Sequence, residues 1–234
     1  SPAIMAEAIL IGTRGWDHAD WTGGFYPPEL PADWRFCFYS NRLRSVLVPA
    51  ESWVGVRRPA VGKWLEDSDP AFRFVLELPP ALCRPQPAAE LERGLDEFLR
   101  TVEPVAPRTA GLLLSLVSPT PPDPVWLDRL LVLLGAYRLC LDLPDEISRP
   151  PVLEMCAQHR AGRCWHCAAS AHPPVGGRLR VARSPAAEPR VLRRILEQLH
   201  GGQGGSGLTA LYFEGPGAVR AAEEARILAE LMGV

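Results

Sequence analysis

The stretch Cys156–His172 (CAQHRAGRCWHCAASAH) gathers the densest set of metal- and proton-capable side chains in the chain: Cys156, His159, Cys164, His166, Cys167 and His172. Thiolates and imidazoles together suit zinc, and the spacing C-x2-H-x4-C-x2-C supplies four ligands. The local patterns argue against that set. Cys156 and His159 fall in a helical pattern, whereas Cys164 and Cys167 fall in a strand pattern, where positions an odd number apart leave opposite faces. Cysteine is also a common small core residue, so we read the cluster as structural and expect no metal and no cofactor. A redox pair at Cys164-Trp165-His166-Cys167 would need its first cysteine at a helix N-terminus. Arginines at Arg42/Arg44, Arg57/Arg58, Arg178/Arg180/Arg183 and Arg190/Arg193/Arg194 offer phosphate contacts, although a solvated surface explains them more simply. Gly215-Pro216-Gly217 ahead of the last helical pattern is an anion site or a plain turn. No G-x-S-x-G, phosphate-binding loop or dinucleotide fingerprint occurs.

These side chains need a scaffold, and the hydrophobic pattern describes one. Short aliphatic runs at Ala8–Gly12, Ser45–Val48, Phe72–Leu78, Gly111–Leu116, Tyr137–Leu143, Arg163–Ala169, Leu179–Ala182 and Thr209–Phe213 read as strands covered on both faces. Between them lie amphipathic stretches. Pro87–Glu103 spaces Leu91, Leu95, Phe98 and Val102 by three and four. Asp123–Leu134 starts with an aspartate cap and proline at the first helical position. Pro189–Leu199 and Ala218–Met232 complete the set. Eight strands interleaved with helices predict a single (β/α)8 barrel domain over residues 1–234, with an open doubly wound sheet as the alternative. The connection SAHPPVGG between the sixth and seventh strands is too short for a helix, so the outer layer should have a gap there. GGQGGSG (residues 201–207) reads as a mobile loop before the eighth strand.

The bulk numbers fit such a barrel. The 234 residues are 47% hydrophobic and 22% charged, enough for a substantial core, and the net charge of −2 disfavours a general nucleic-acid binder. No apolar run approaches the length of a membrane span. The N-terminus shows no basic region followed by an apolar core, and the six cysteines are dispersed, so we expect a cytoplasmic protein with reduced thiols. Residues 1–4 (SPAI) precede Met5 and read as an expression scar, with the natural start at Met5.

The segment LIGTRGWDHADWTGGFYPPELP (residues 10–31) carries a resemblance. Gly12, Thr13, Gly15, Trp16, Trp21, Phe25, Tyr26, Pro27, Leu30 and Pro31 match, in order and spacing, the N-terminal signature of the YecE-like family, a widespread bacterial group of unknown function. FRFVLELP (residues 72–79) and LYFEGPGAVRAAEEARILAELM (residues 211–232) look like the family's third strand and its last strand and helix. The resemblance implies a TIM-like barrel in which the aromatics leave the first strand at the C-terminal rim. There they would wall the mouth or plug it against the eighth unit.

The departures from the family pattern are instructive. Leu47, Pro49 and Trp53 stand where the second strand and its loop usually have an acid, an asparagine and a tyrosine. Glu77 stands for a lysine, Pro144 and Asp145 for arginine and histidine, Ala182 and Ser184 for another such pair, and Glu214-Gly215-Pro216 for an amide and acid run. An acid, a lysine and an arginine–histidine pair could bind an anion and move protons, which leucine and proline cannot do. The resemblance therefore implies a rim made of Arg14, Trp16, Asp17, His18, Trp21, Tyr26, Glu77, Asp142, Arg183 and Glu214, with Asp145 nearby. Whether the chain is an enzyme stays open. We expect a diverged barrel that binds an unidentified small molecule or protein partner, not a membrane. The alternative is a metal-dependent hydrolase or phosphodiesterase-like enzyme acting on a phosphorylated or nucleic-acid substrate through Glu77, Asp142 and Glu214.

Overall fold

The computed structural model describes residues 8–202 and 207–234. The reading of residues 1–4 and the centre of the 201–207 loop lie outside them. Strands β1 (Leu10–Arg14), β2 (Ser45–Val48), β3 (Arg73–Glu77), β4 (Thr109–Ser115), β5 (Leu139–Asp142), β6 (Gly162–Arg163), β7 (Trp165–His166), β8 (Leu179–Pro185) and β9 (Leu208–Glu214) form one sheet in the order β6-β5-β4-β3-β2-β1-β9-β8-β7. Every pairing is parallel. The ends of that order, β6 and β7, are consecutive in the chain, so the sheet closes on itself as an α/β TIM-like barrel.

Helices α1 (Arg35–Arg42), α2 (Arg58–Asp67), α3 (Ala88–Val102), α4 (Pro124–Leu133), α5 (Val152–Gln158), α6 (Pro189–Gly201) and α7 (Ala218–Met232) cover the outside. As the short SAHPPVGG connection predicts, no helix separates β7 from β8. Asp123 caps α4 through Val125 N–H, and Leu91, Leu95, Phe98 and Val102 are the buried stripe of α3.

Two apolar layers hold the barrel together. Outward residues of the strands pack under the helices. Leu47, Val75, Leu113, Cys140, Val181, Ala210 and Tyr212 fill the inside. Burial on both faces explains why the strands read as continuous aliphatic runs. Between β1 and β2 the packing is so close that a Cβ at Gly12 would stand 1.9 Å from the Ser45 carbonyl oxygen. The hydroxyl of fully buried Tyr39 fits this seam. It accepts from Thr13 N–H and donates to the Ser45 carbonyl, both at 2.9 Å.

Most strand bounds shift from the sequence reading: the fourth begins at Thr109 rather than Gly111, the fifth at Leu139 rather than Tyr137, and the seventh runs on to Pro185. The first begins two residues later, at Leu10. The sixth is not a continuous Arg163–Ala169 strand but two short pieces hinged at Cys164. Its backbone must pass from one neighbour to the other: Cys164 N–H donates to Leu141 O at 2.8 Å, and Cys167 N–H donates to Arg183 O at 2.9 Å. The His166 carbonyl then accepts from Ala169 and Ser170 N–H, so the chain turns away after two paired residues.

Candidate functional site

Side chains alternate along a strand, so the last inward residue of each stave projects into one layer at the C-terminal mouth. That layer contains Arg14 from β1, Glu77 from β3, Ser115 from β4, Asp142 from β5, His166 from β7, Arg183 from β8 and Glu214 from β9. The charges are interlocked. Glu77, only 5% exposed, receives Arg14 through Nε at 2.7 Å and Nη2 at 2.8 Å, a bidentate pairing that fixes both groups. Ala50 N–H adds a bond to Glu77 Oε2 at 2.8 Å, and Trp53 Nε1 donates to the Glu77 carbonyl at 2.7 Å. The β2–α2 loop thus clamps this acid. Arg14 also reaches Glu51 on that loop with bonds of 2.9 and 2.8 Å.

Arg183 is the second hub. Its Nη1 meets Asp142 Oδ2 at 3.1 Å, and its Nη2 meets Glu214 Oε2 at 2.7 Å and lies 4.0 Å from Glu77 Oε1. His166 Nε2 completes the arc at 2.8 Å from Asp142 Oδ1. Hydrogen bonds donated to Glu77 hold the Arg14 cation charged more firmly than usual. Burial opposes the charge on Arg183, but the surrounding groups, Glu214 foremost and Glu77 with it, together favour the cation on balance. Burial likewise opposes ionisation of Asp142, yet His166 and Arg183 together hold its carboxyl below the ordinary range. The hydrogen bond to Asp142 raises His166. One layer deeper, burial pushes the Cys140 thiol up to about 12 and the Cys164 thiol well above its usual value, so neither is an activated nucleophile.

A cleft of about 850 Å3 opens beside this network, lined by Ser115, Asp142, Asp145, Cys164, His166 and Arg183 among others. That volume suits a small molecule. The structure therefore brings Arg14, Glu77, Asp142, Arg183 and Glu214 together at the mouth. Sequence reasoning missed two members. Glu51 sits on a loop outside any strand alternation, and His166 was grouped with the cysteines.

The other rim residues lie elsewhere. Trp16 packs on Phe36 of α1, with centroids 4.6 Å apart, and on Trp64 of α2 at 5.0 Å. Tyr26 is buried and donates to the Trp16 carbonyl. Trp21 stacks on His18, Phe25 and Tyr26. Asp17 pairs with Arg35 at 2.6 Å, and His18 Nε2 holds the Arg14 carbonyl at 2.8 Å. This segment packs on the first and second units, and Trp21 and Phe25 also face Ala218 and Val219 at the start of α7 across a smaller cleft. Its exposed edge lines a second cleft of about 650 Å3 with Gly15, Trp16, Asp17, His18 and Glu51.

The C-x2-H-x4-C-x2-C set does not assemble. Cys156 is buried on α5, and His159 pairs with Asp128 at 2.6 Å. Among the described residues the only cluster with metal-ligand spacing is Asp142, Cys164 and His166. The three acids of the hydrolase reading surround the Arg183 guanidinium rather than an open cation position. Nor do the arginine clusters form one groove. Arg180 is buried at the opposite end of the barrel on the Leu199 and Gly202 carbonyls, while Arg42, Arg58 and Arg193 pair with Glu223, Glu103 and Glu197.

Fold and site together define a parallel α/β barrel with a charge-paired C-terminal mouth. The family described as "Protein of unknown function DUF72" matches residues 10–233. The chain belongs to this family, the YecE-like group of its N-terminal signature. Crystal structures of DUF72 family proteins share the fold. One from Enterococcus faecalis has a TM-score of 0.72 at 12% identity, covering 97% of this chain and 96% of that one. One from Thermotoga maritima has a TM-score of 0.70 at 15% identity, covering 97% and 100%. No curated protein matches the chain. No helix among the described residues is long and apolar enough to cross a membrane.

Proposed function

We propose that this chain is a ligand-binding barrel whose site is the cleft at the C-terminal mouth. Its ligand is a small polar molecule that presents an amine or hydroxyl hydrogen-bond donor. The observation that carries this reading is the charge balance of the network: two guanidiniums, Arg14 and Arg183, face four carboxylates, Glu51, Glu77, Asp142 and Glu214. Both arginines already hold carboxylates, so a phosphate would have to compete with those carboxylates to reach them. A donor group instead meets the spare lone pairs of the acids. The elevated Cys164 thiol supports binding over nucleophilic chemistry. The aromatic segment serves as a rigid wall behind Arg14, fixed through His18 and Tyr26.

Thermal denaturation of metal-free protein against matched panels of small amines, polyols and phosphates tests the reading. A donor ligand at a hundredfold excess over its Kd should raise Tm by roughly 5–10 °C, since that occupancy is worth about 2.7 kcal/mol. Stabilisation by phosphates alone would reverse the assignment of ligand class.

A further inference from the structure

The end of β5 and the β6–β7 stave bring three different donor atoms to one point. A carboxylate oxygen of Asp142, the sulfur of Cys164 and an imidazole nitrogen of His166 all lie within 4.8 Å of one another. Cys164 and His166 are two positions apart on one stave and project to the same side, which removes the alternation objection that separates Cys164 from Cys167. Tetrahedral bonds of about 2.0–2.3 Å place ligand atoms roughly 3.4–3.6 Å apart, so atoms that lie within 4.8 Å of one another need only modest side-chain shifts to reach that geometry. All three side chains line the 850 Å3 cleft, which leaves room for a further ligand on the open side. Arg183 Nη1 holds Asp142 Oδ2 and leaves Oδ1 turned toward His166. Such an outer partner orients a ligating carboxylate. The surplus of carboxylates over guanidiniums adds a local field that favours a cation.

We propose that Asp142 Oδ1, Cys164 Sγ and His166 bind one divalent cation of borderline softness, zinc being the best match, with the fourth position open to the cleft. A sulfur, nitrogen and oxygen donor set selects against magnesium and calcium, which take oxygen ligands. Uptake displaces the thiol proton of Cys164 to solvent, and His166 ligates as the neutral imidazole with its ring proton on the nitrogen turned away from the ion. This inference deepens the reading of the mouth as a binding site and rests on it.

The test is titration of metal-stripped, reduced protein with cobalt(II), followed by zinc competition. The expected result is one equivalent bound, with a thiolate-to-cobalt charge-transfer band that zinc abolishes. Cys164→Ser should remove the band and weaken zinc binding at least tenfold, while Cys167→Ser should leave both unchanged. X-ray absorption of the unaltered zinc-loaded chain needs no variant to fold. It should show one sulfur neighbour at about 2.3 Å with nitrogen and oxygen neighbours. Uptake below one equivalent, a band that persists in Cys164→Ser, or a zinc shell with no sulfur or several would each overturn the proposal. The amine and phosphate comparison is made on metal-free protein, so failure of the cation site and failure of the ligand reading are separate results.

Discussion

Glu77 carries more of the mouth than any other side chain. It is almost fully buried, yet it faces Arg14 in two hydrogen bonds, lies near Arg183 and accepts Ala50 N–H. Removing one partner of a buried ion pair strands the other charge, a loss of about 3–5 kcal/mol. Glu77→Leu should therefore lower stability by roughly that amount in urea titration, and Glu77→Gln by less because an acceptor oxygen remains. A cost below about 1 kcal/mol for Glu77→Leu would mean that solvent already screens the cluster. Glu51 is the contrasting case. Arg14 hydrogen bonds hold its carboxyl below the ordinary value of 4.5. A depressed carboxylate stabilises the fold above its unfolded value, and the contribution is lost as pH falls through its folded value. Glu51 is largely exposed, so the effect is small: Glu51→Gln should slightly flatten the acid limb of stability against pH and leave neutral pH nearly unchanged. At this scale the resemblance to the YecE-like family pointed to the strand-end positions, and the structure shows why they converge. Arg14, Glu77, Asp142, Arg183 and Glu214 are strand-end residues, and one strand period aims them all inward. His166 was visible but misgrouped, because its partner Asp142 is 24 positions away while the cysteines are adjacent.

At the scale of elements, the strands were legible because burial on both faces leaves few polar residues within them. The split of the sixth strand was not, since it depends on which neighbour supplies each hydrogen bond. Its geometry nevertheless rests on one residue type. A Cβ on Gly162 would stand 1.8 Å from the Leu179 carbonyl oxygen, so β6 reaches the start of β8 only as glycine. Gly162→Ala should force the seam apart and cost at least about 1–3 kcal/mol, the range of overpacked cores. Urea titration, with the near-ultraviolet signal of buried Trp165 as local probe, measures it. A neutral effect would show that the seam can widen freely. The aromatic segment teaches the complementary lesson. Its composition announced a packed cluster, but the direction of packing depends on α1 and α2. Trp16 reads the faces of Phe36 and Trp64, which no local pattern reveals.

For the whole molecule, the missing helix and the broken strand fall at the same place. Among the described residues seven helices cover eight staves, and the uncovered one is the β6–β7 stave that carries Cys164 and His166. Elsewhere each stave is paired over several residues and capped by a helix. This one offers two paired residues on each side, with Trp165 held by a single bond from Nε1 to the Ser170 carbonyl at 3.0 Å. Local opening costs least where ladder bonds and apolar cover are fewest. Native-state hydrogen exchange should therefore find the amides of Cys164 and Cys167 opening at least tenfold more often than those of Leu47 and Val75, which are fully buried in β2 and β3. Occupation of the mouth binds across this stave and the adjacent β5, so a ligand or cation held there should raise protection at Cys164 and Cys167 more than at Leu47. Equal protection across the barrel, unchanged by zinc, would mean that the stave is as rigid as its neighbours and that binding does not engage it. The stave with the shortest ladders thus stands against the cleft, and the exchange experiment ties that position directly to binding.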